Sequence, residues 1–321
     1  MQDSVVVEPS LGASRLRKTR FELPTVAVAT AIYGGFLAWS WYFTVLPLWL
    51  AAGIGAVLIA WHGSLQHETI HGHPTPWRAV NALVGSLPLS LWIPYPLYRA
   101  SHILHHRYAG RYLTDPGRDP ESFYLPPQKL AALPQIGRSL AQANCTFAGR
   151  MLIGPLLSIG TFFELERRAL RRGGWPRLRM WAAHSIGVAA VLGWVVGICH
   201  IPAVVYLALV VYPGTSLSLV RSFAEHRANA DPGLRTAVVE ANPVLALVFL
   251  NNNLHIAHHH RPSVPWYELP ALWRNLRVSD QGQRAAGAGM VYRGGYLEIV
   301  RRYLLRPVIR IGQPAWGEHK T

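Results

Sequence analysis

The sequence predicts an all-α integral membrane protein: two transmembrane helical hairpins, about four spans, beneath a cytoplasmic helical cap that carries a histidine-rich metal site. Three observations carry that prediction. Half of the 321 residues are hydrophobic and only 15% are charged, with a mean hydropathy of +0.16, a balance too apolar for an ordinary soluble enzyme. Two pairs of long uncharged runs are each divided by a proline-containing turn. The 15 histidines fall mainly into clusters that share one spacing.

The net charge of +15 raises nucleic acid as a partner, but a nucleic-acid binder places its basic residues on a soluble face with aromatic platforms. Here they flank apolar runs, which excludes that class and favours a membrane. Cys145 and Cys199 lie far apart, match no metal or redox spacing, and read as packing residues.

Residues 1–24 read as a disordered cytoplasmic tail, ending in a basic stretch, Arg15-Leu16-Arg17-Lys18-Thr19-Arg20, without a cleavage pattern. A membrane domain follows over residues 25–275. From Thr25 to Trp61 the chain is almost uncharged and about twice as long as the ~20 residues a span needs, with Pro47 as its break. The second helix of this hairpin is expected to end near His62. The apolar segment Ala79 to Leu91 is short and stops at Ile93-Pro94-Tyr95-Pro96, which makes it interfacial or re-entrant. A polar, proline-rich stretch covers 114–128. The run Phe147 to Phe163 contains Arg150, a residue costly in lipid, and reads as an amphipathic helix on the membrane surface.

The basic loop from Arg167 to Arg179 precedes the second hairpin, Trp181 to Ile198 and Ala203 to Val220, which turns at His200-Ile201-Pro202. Four crossings leave the basic tail, the basic loop and the basic cytoplasmic C-terminal segment, residues 276–321, on one side, as the preference of positive charge for the cytoplasm requires.

The chemistry lies in the histidines. His67-Glu68-Thr69-Ile70-His71 fits the H-E-x-x-H pattern of zinc proteases. Two further clusters compete with that reading: His102-Ile103-Leu104-His105-His106 and His255-Ile256-Ala257-His258-His259-His260. Positions i, i+3 and i+4 share a helix face, so each H-x-x-H-H is expected to aim three imidazoles at one point. His226, after the fourth span, is a ninth candidate. A zinc site takes three or four protein ligands, so eight or nine histidines require two metals. Nitrogen-rich paired sites with open positions and no cysteine cluster point to iron that meets oxygen. His62, His184, His200 and His319 read instead as core histidines satisfied by hydrogen bonds, while His73 and His260, beside the boxes, stay open.

The three boxes, ordered H-x-x-x-H, H-x-x-H-H and H-x-x-H-H around two hairpins, resemble the membrane fatty acid desaturase superfamily, which includes lipid and carotenoid hydroxylases and ketolases. The resemblance runs from about Thr25 to Trp273. Asn251-Asn252-Asn253-Leu254-His255 and the run Arg261 to Pro270 also look like bacterial members.

The resemblance implies two iron ions held by His67, His71, His102, His105, His106, His226, His255, His258 and His259. Where some desaturases have an asparagine one turn before the isolated histidine this chain has Ser222, with Asn251 or Asn252 as a replacement. Glu68, Glu225 and Asp119 are candidates to orient the imidazoles, with a plain solvated charge the competing reading for Asp119. The implied activity is oxygen-dependent desaturation of a fatty-acyl chain or acyl lipid, with O2 as co-substrate. The alternative is hydroxylation of a lipid, alkyl or carotenoid substrate.

No electron-carrying segment is evident, so an external donor of ferredoxin or cytochrome b5 type is expected. Arg99, Arg107, Arg111 and Arg118 are candidates for an anionic head group or for positive-inside determinants. A zinc protease would leave the H-x-x-H-H clusters idle. A haem protein would place its histidines within facing spans rather than near span ends.

Overall fold

The computed structural model describes residues 21–108 and 112–309; the tail at 1–20, Arg111 and His319 lie outside them. The described chain is mainly helical. Four helices are long and apolar enough to cross a membrane: Leu23–Trp41, Leu48–Ile70, Trp175–Ile198 and Ala203–Glu225. The first two join through the turn at 42–47, where Trp39 Nε1 donates to the Ala51 carbonyl at 2.7 Å. The last two join through 199–202, with His200 at a φ of 57°. The run from Phe147 is not a span: it forms two helices, Phe147–Leu152 and Gly154–Arg171.

The second span is the axis of the molecule. It packs against the first and fourth spans and the helix Arg78–Ser86. Small residues bring the axes together, since packing without a hydrophobic drive depends on close backbone approach. A Cβ on Gly214 would lie 2.5 Å from Ile59 Cβ and 2.8 Å from the Ala56 carbonyl oxygen, and one on Gly55 would lie 2.4 Å from Trp39 Cζ2. This span does not end near His62. It continues to Ile70, so His67 and Glu68 sit on its last turns rather than in an emerging loop, because nothing in Gly63-Ser64-Leu65-Gln66 breaks a helix.

Residues 78–94 dip between the spans. The carbonyls of Val84, Leu89 and Leu91 accept from the Tyr33 hydroxyl, the Tyr206 hydroxyl and His184 Nε2. Tyr206 lies 19 residues before Glu225, roughly 28 Å along the helix axis, so this backbone reaches deep among the helices and is re-entrant. Irregular backbone at that depth is tolerated only when its polar groups are satisfied inside the protein. That requirement gives Tyr33, Tyr206 and His184 their places on apolar helices.

Beyond the spans, a cap is built on a second core that includes Phe223, Val238, Phe249, Ile256, Trp273, Tyr296 and Ile299. A two-residue parallel pairing, Val238 with Val291 and Val239 with Tyr292, crosses it. Val239 N–H donates to the Asn253 carbonyl at 2.9 Å and Asn253 Nδ2 to the Val239 carbonyl at 2.7 Å, which fixes the start of the third histidine cluster.

Gly214→Leu is expected to force the second and fourth spans apart, at a cost of about 1–3 kcal/mol for an overpacked interface. Because His71 and His226 cap these two helices, thermal unfolding should shift down and metal loss should involve the whole centre. An unchanged unfolding temperature would refute the packing account.

Candidate metal centre

Three helices bring their C-terminal ends to one place, and a short fourth lies across them. The second span delivers His67 and His71, the helix Tyr95–Arg107 delivers His102, His105 and His106, the fourth span ends at Glu225 before His226, and the short helix His255–His260 carries the third cluster. Helix C-termini carry partial negative charge, a setting that favours cations.

The nine histidines form two groups, within each of which the ligating atoms lie within 4.8 Å of one another: His67, His71, His102, His106 and His258, and His105, His226, His255 and His259. The boxes therefore do not aim three rings at one point. His102 and His106 enter the first group while His105 enters the second; His255 and His259 enter the second while His258 enters the first. At 100° per residue, i+4 lies 40° to one side of i and i+3 lies 60° to the other. The pair i, i+4 converges and i+3 diverges to the other site.

The spacing is that of ligands, not of packed rings. Nε2 to Nε2 distances are 3.0 Å for His71 and His102, 3.0 Å for His102 and His106, and 3.1 Å for His106 and His258. In the second group they are 3.0 Å for His105 and His226, 2.9 Å for His226 and His255, and 3.1 Å for His255 and His259. Two nitrogens each about 2.1 Å from a common ion are about 3.0 Å apart at a right angle and about 3.4 Å apart at the tetrahedral angle. The quoted distances are nearer the right-angled value, and a group of five imidazoles exceeds the four ligands of a closed tetrahedral zinc.

Hydrogen bonds on the far nitrogens fix which lone pairs face inward. His105 Nδ1 donates to Asp119 Oδ1 at 2.9 Å, and His102 Nδ1 to Glu121 Oε1 at 3.1 Å. His226 Nδ1 donates to the Arg235 carbonyl at 3.3 Å, and His255 Nδ1 to the Asn252 carbonyl at 3.1 Å. Carbonyls and carboxylates only accept, so the proton is on Nδ1 and Nε2 carries a lone pair. In the neutral rings of His226 and His255 the facing Nε2 atoms, 2.9 Å apart, cannot donate to one another. Burial, and then the repulsion of neighbouring rings, holds His71, His226, His255, His258 and His259 well below the ordinary imidazole pKa, which keeps them neutral. His105 is raised: burial works against its charge, but Glu121 and Asp119 outweigh it.

Other sequence expectations come out differently. Asn252 stands between the groups, its Nδ2 3.2 Å from His67 Nε2 and its Oδ1 3.0 Å from His255 Nδ1. Asn251 turns away and donates to the Trp266 carbonyl at 3.0 Å. Glu68 is 3.7 Å from His67 Nδ1, beyond a hydrogen bond, and its Oε2 accepts from Trp266 N–H at 3.1 Å. Glu225 pairs with Arg221 at 2.9 Å and stands 3.5 Å from His255 Nδ1. His73 bonds Glu22 at 2.5 Å, and His260 is exposed; neither belongs to the groups. His62 is buried against the Tyr33 ring, yet neither ring nitrogen has a partner among the described residues, contrary to the hydrogen-bonded core role. Arg99, Arg107 and Arg118 are exposed, with Arg118 over the Tyr112 ring.

Sequence reasoning missed Glu121 and the Arg235 carbonyl. Glu121 had a signal, two residues after Asp119 in Asp119-Pro120-Glu121; the carbonyl had none. A cavity of about 60 Å³, bordered by His102, Glu121, Phe123, Ser222, His226 and His255, opens beside the second group.

Residues 39–286 match the family model described as fatty acid desaturase. The chain belongs to the fatty acid desaturase family. The match takes in all three histidine clusters and His226. No match was found among curated proteins.

The crossed arrangement sets a test for this desaturase-family site. The pair His102→Ala with His258→Ala, from different boxes but one group, is expected to remove about one metal ion per chain, while His102→Ala with His105→Ala, from one box, should remove both. Metal analysis of the purified variants decides. Asp119→Asn should weaken metal retention about 10- to 100-fold, as loss of an orienting partner does, read by competition with a chelator.

Proposed function

We propose that the chain is an oxygen-dependent di-iron oxidoreductase that introduces a double bond into a fatty-acyl chain or acyl lipid. The observation that carries the reading is the pair of closely spaced all-imidazole groups, with Nδ1 protons held outward at His102, His105, His226 and His255, near the ends of two apolar spans. Imidazole suits iron, and groups of five and four leave room for an exogenous ligand.

In this reading His67, His71, His102, His106 and His258 hold one iron, and His105, His226, His255 and His259 the other. Iron bound there supplies reductive activation of O2 and removal of hydrogen from an unactivated C–H bond. The protein's part is positioning. Asp119 and Glu121 keep the protons of His105 and His102 on Nδ1, the Arg235 and Asn252 carbonyls do the same for His226 and His255, and burial excludes water. Each desaturation takes two hydrogens from substrate and two electrons and two protons from outside, and yields two waters. The electrons come from an external ferredoxin or cytochrome b5 type donor. The substrate reaches the site from the bilayer between the apolar helices. The active site faces the cytoplasm, with the basic segments Arg15 to Arg20 and Arg167 to Arg179 on that side.

Lipid analysis of expressing cells tests the reaction. A product lighter by two hydrogens is expected; one heavier by a single oxygen would make the chain a hydroxylase. Purified protein should hold about two irons per chain. Glu68→Gln should keep that iron and most activity, because Glu68 supports the Trp266 loop. Peptide hydrolysis lost in Glu68→Gln, with one zinc per chain, would return the motif to the proteases.

A further inference from the structure

The helix Phe147–Leu152 buries a guanidinium that the metal centre does not use. Arg150 is 5% exposed, yet it forms no ion pair with a carboxylate among the described residues. Its Nη1 donates to Asn144 Oδ1 at a long 3.4 Å, its Cζ lies 4.5 Å from the Phe123 ring centroid, and its Nε is buried without a partner. An arginine carries five N–H donors in a rigid fork, and a buried charge left unpaired is strongly destabilising. Burial pulls its pKa down to about 10, so it is still a cation at neutral pH.

A second feature of the same sign lies beside it. The helix Gly154–Arg171 begins one residue after the helix Phe147–Leu152 ends, with no side-chain cap and no acidic residue in its first turn, so no side chain of its own offsets its N-terminal partial positive charge. Arg150 runs along that end: a Cβ on Gly154 would lie 3.2 Å from Arg150 Cδ and 3.3 Å from Asn144 Oδ1. Two sources of positive charge therefore meet at one buried point. The surface around it is apolar, with Leu152 70% and Leu156 63% exposed. Phe123, which Arg150 covers, also borders the cavity next to the second histidine group.

We propose that Arg150 and the uncapped start of the helix Gly154–Arg171 bind the anionic head group of a lipid, a phosphate or a carboxylate, whose chains lie along Leu152 and Leu156. The guanidinium fork matches either anion in two-point contact. The head group belongs either to a resident phospholipid or to the acyl substrate, and only the second case rests on the desaturase reading.

The test uses full-length protein in neutral maltoside detergent, with thermal unfolding followed as phosphatidylglycerol or a long-chain fatty acid is added. A ligand that binds only the folded state raises the unfolding temperature. The wild type should be stabilised, and Arg150→Met should not be, although it retains its iron and, without lipid, unfolds no lower than the wild type. Arg150→Lys keeps the charge without the fork and should bind about tenfold more weakly; it serves if the Met variant does not fold. Stabilisation by phosphatidylglycerol alone identifies a resident phospholipid. Stabilisation by the fatty acid, with KM raised and kcat kept in Arg150→Lys, identifies the substrate. Equal stabilisation of wild type and variants overturns the proposal. So does a loss of stability in lipid-free detergent on deleting residues 310–321, which contain Glu318, if Arg150→Met does not share it.

Discussion

Inward-facing lone pairs are the constraint on which the rest of this structure depends. Nitrogens about 3 Å apart normally share a proton, one donating and one accepting. Here four of the nine rings, His102, His105, His226 and His255, commit their Nδ1 donors outward, to Glu121, Asp119 and two backbone carbonyls. What remains inside is a set of like dipoles in a buried, low-dielectric space, where unpaired polar groups are most costly. Cations relieve that repulsion, and the surroundings are arranged for them. Helix C-termini point at the site, acidic groups stand behind the rings, and burial keeps His71, His226, His255, His258 and His259 neutral. Holding such a set in place takes a rigid frame, which the packed second and fourth spans and the cap core provide.

The crossing of the boxes follows from the same frame. A helix can give two rings to one ion from i and i+4, but i+3 points about 100° away from i+4. Two such helices face each other, so each gives a pair to one site and its odd ring to the other. His67 with His71 completes one group and His226 the other. Each ion is then tied to both H-x-x-H-H helices, and a shift of either helix disturbs both sites together. The short parallel pairing and the Val239 to Asn253 bonds resist that shift from the cap side.

Much of the fold was legible because the bilayer enforces long uncharged runs, and Pro47 and Pro202 mark where they turn. The end of the second span was not, since Gln66, His67 and Glu68 look like the start of a polar loop. With no breaker in the way, their burial against the metal site and the helix Arg78–Ser86 favours continued helix; Gln66 Nε2, for one, donates to the Gly85 carbonyl at 2.8 Å. Residues 79–91 were ambiguous for a related reason: a short apolar run looks the same on a surface or inside a bundle, and the partners that decide it, Tyr33, His184 and Tyr206, are distant in sequence. In the site, the histidines were readable from spacing, but their division into groups needed the facing helices. Partners that act through carbonyls leave no trace in residue identity.

The glutamate of His67-Glu68-Thr69-Ile70-His71 shows how far a motif depends on its surroundings. In a protease that carboxylate must face the metal to serve as base. Here it faces the other way and receives Trp266 N–H, while Trp266 Nε1 donates to Thr25 Oγ1 at 3.2 Å and Thr25 Oγ1 donates to Glu22 Oε2 at 3.1 Å. Glu22 in turn holds His73 and, through its N–H, the Pro74 carbonyl at 3.0 Å. One buried acid thus starts a chain that links the second span, the loop after the third box, the start of the first span and the turn beyond His71. A base must change its protonation during each turnover, whereas a strut must not. Glu68 is bound as a strut, which leaves the chemistry of this centre to the ions its histidines converge on.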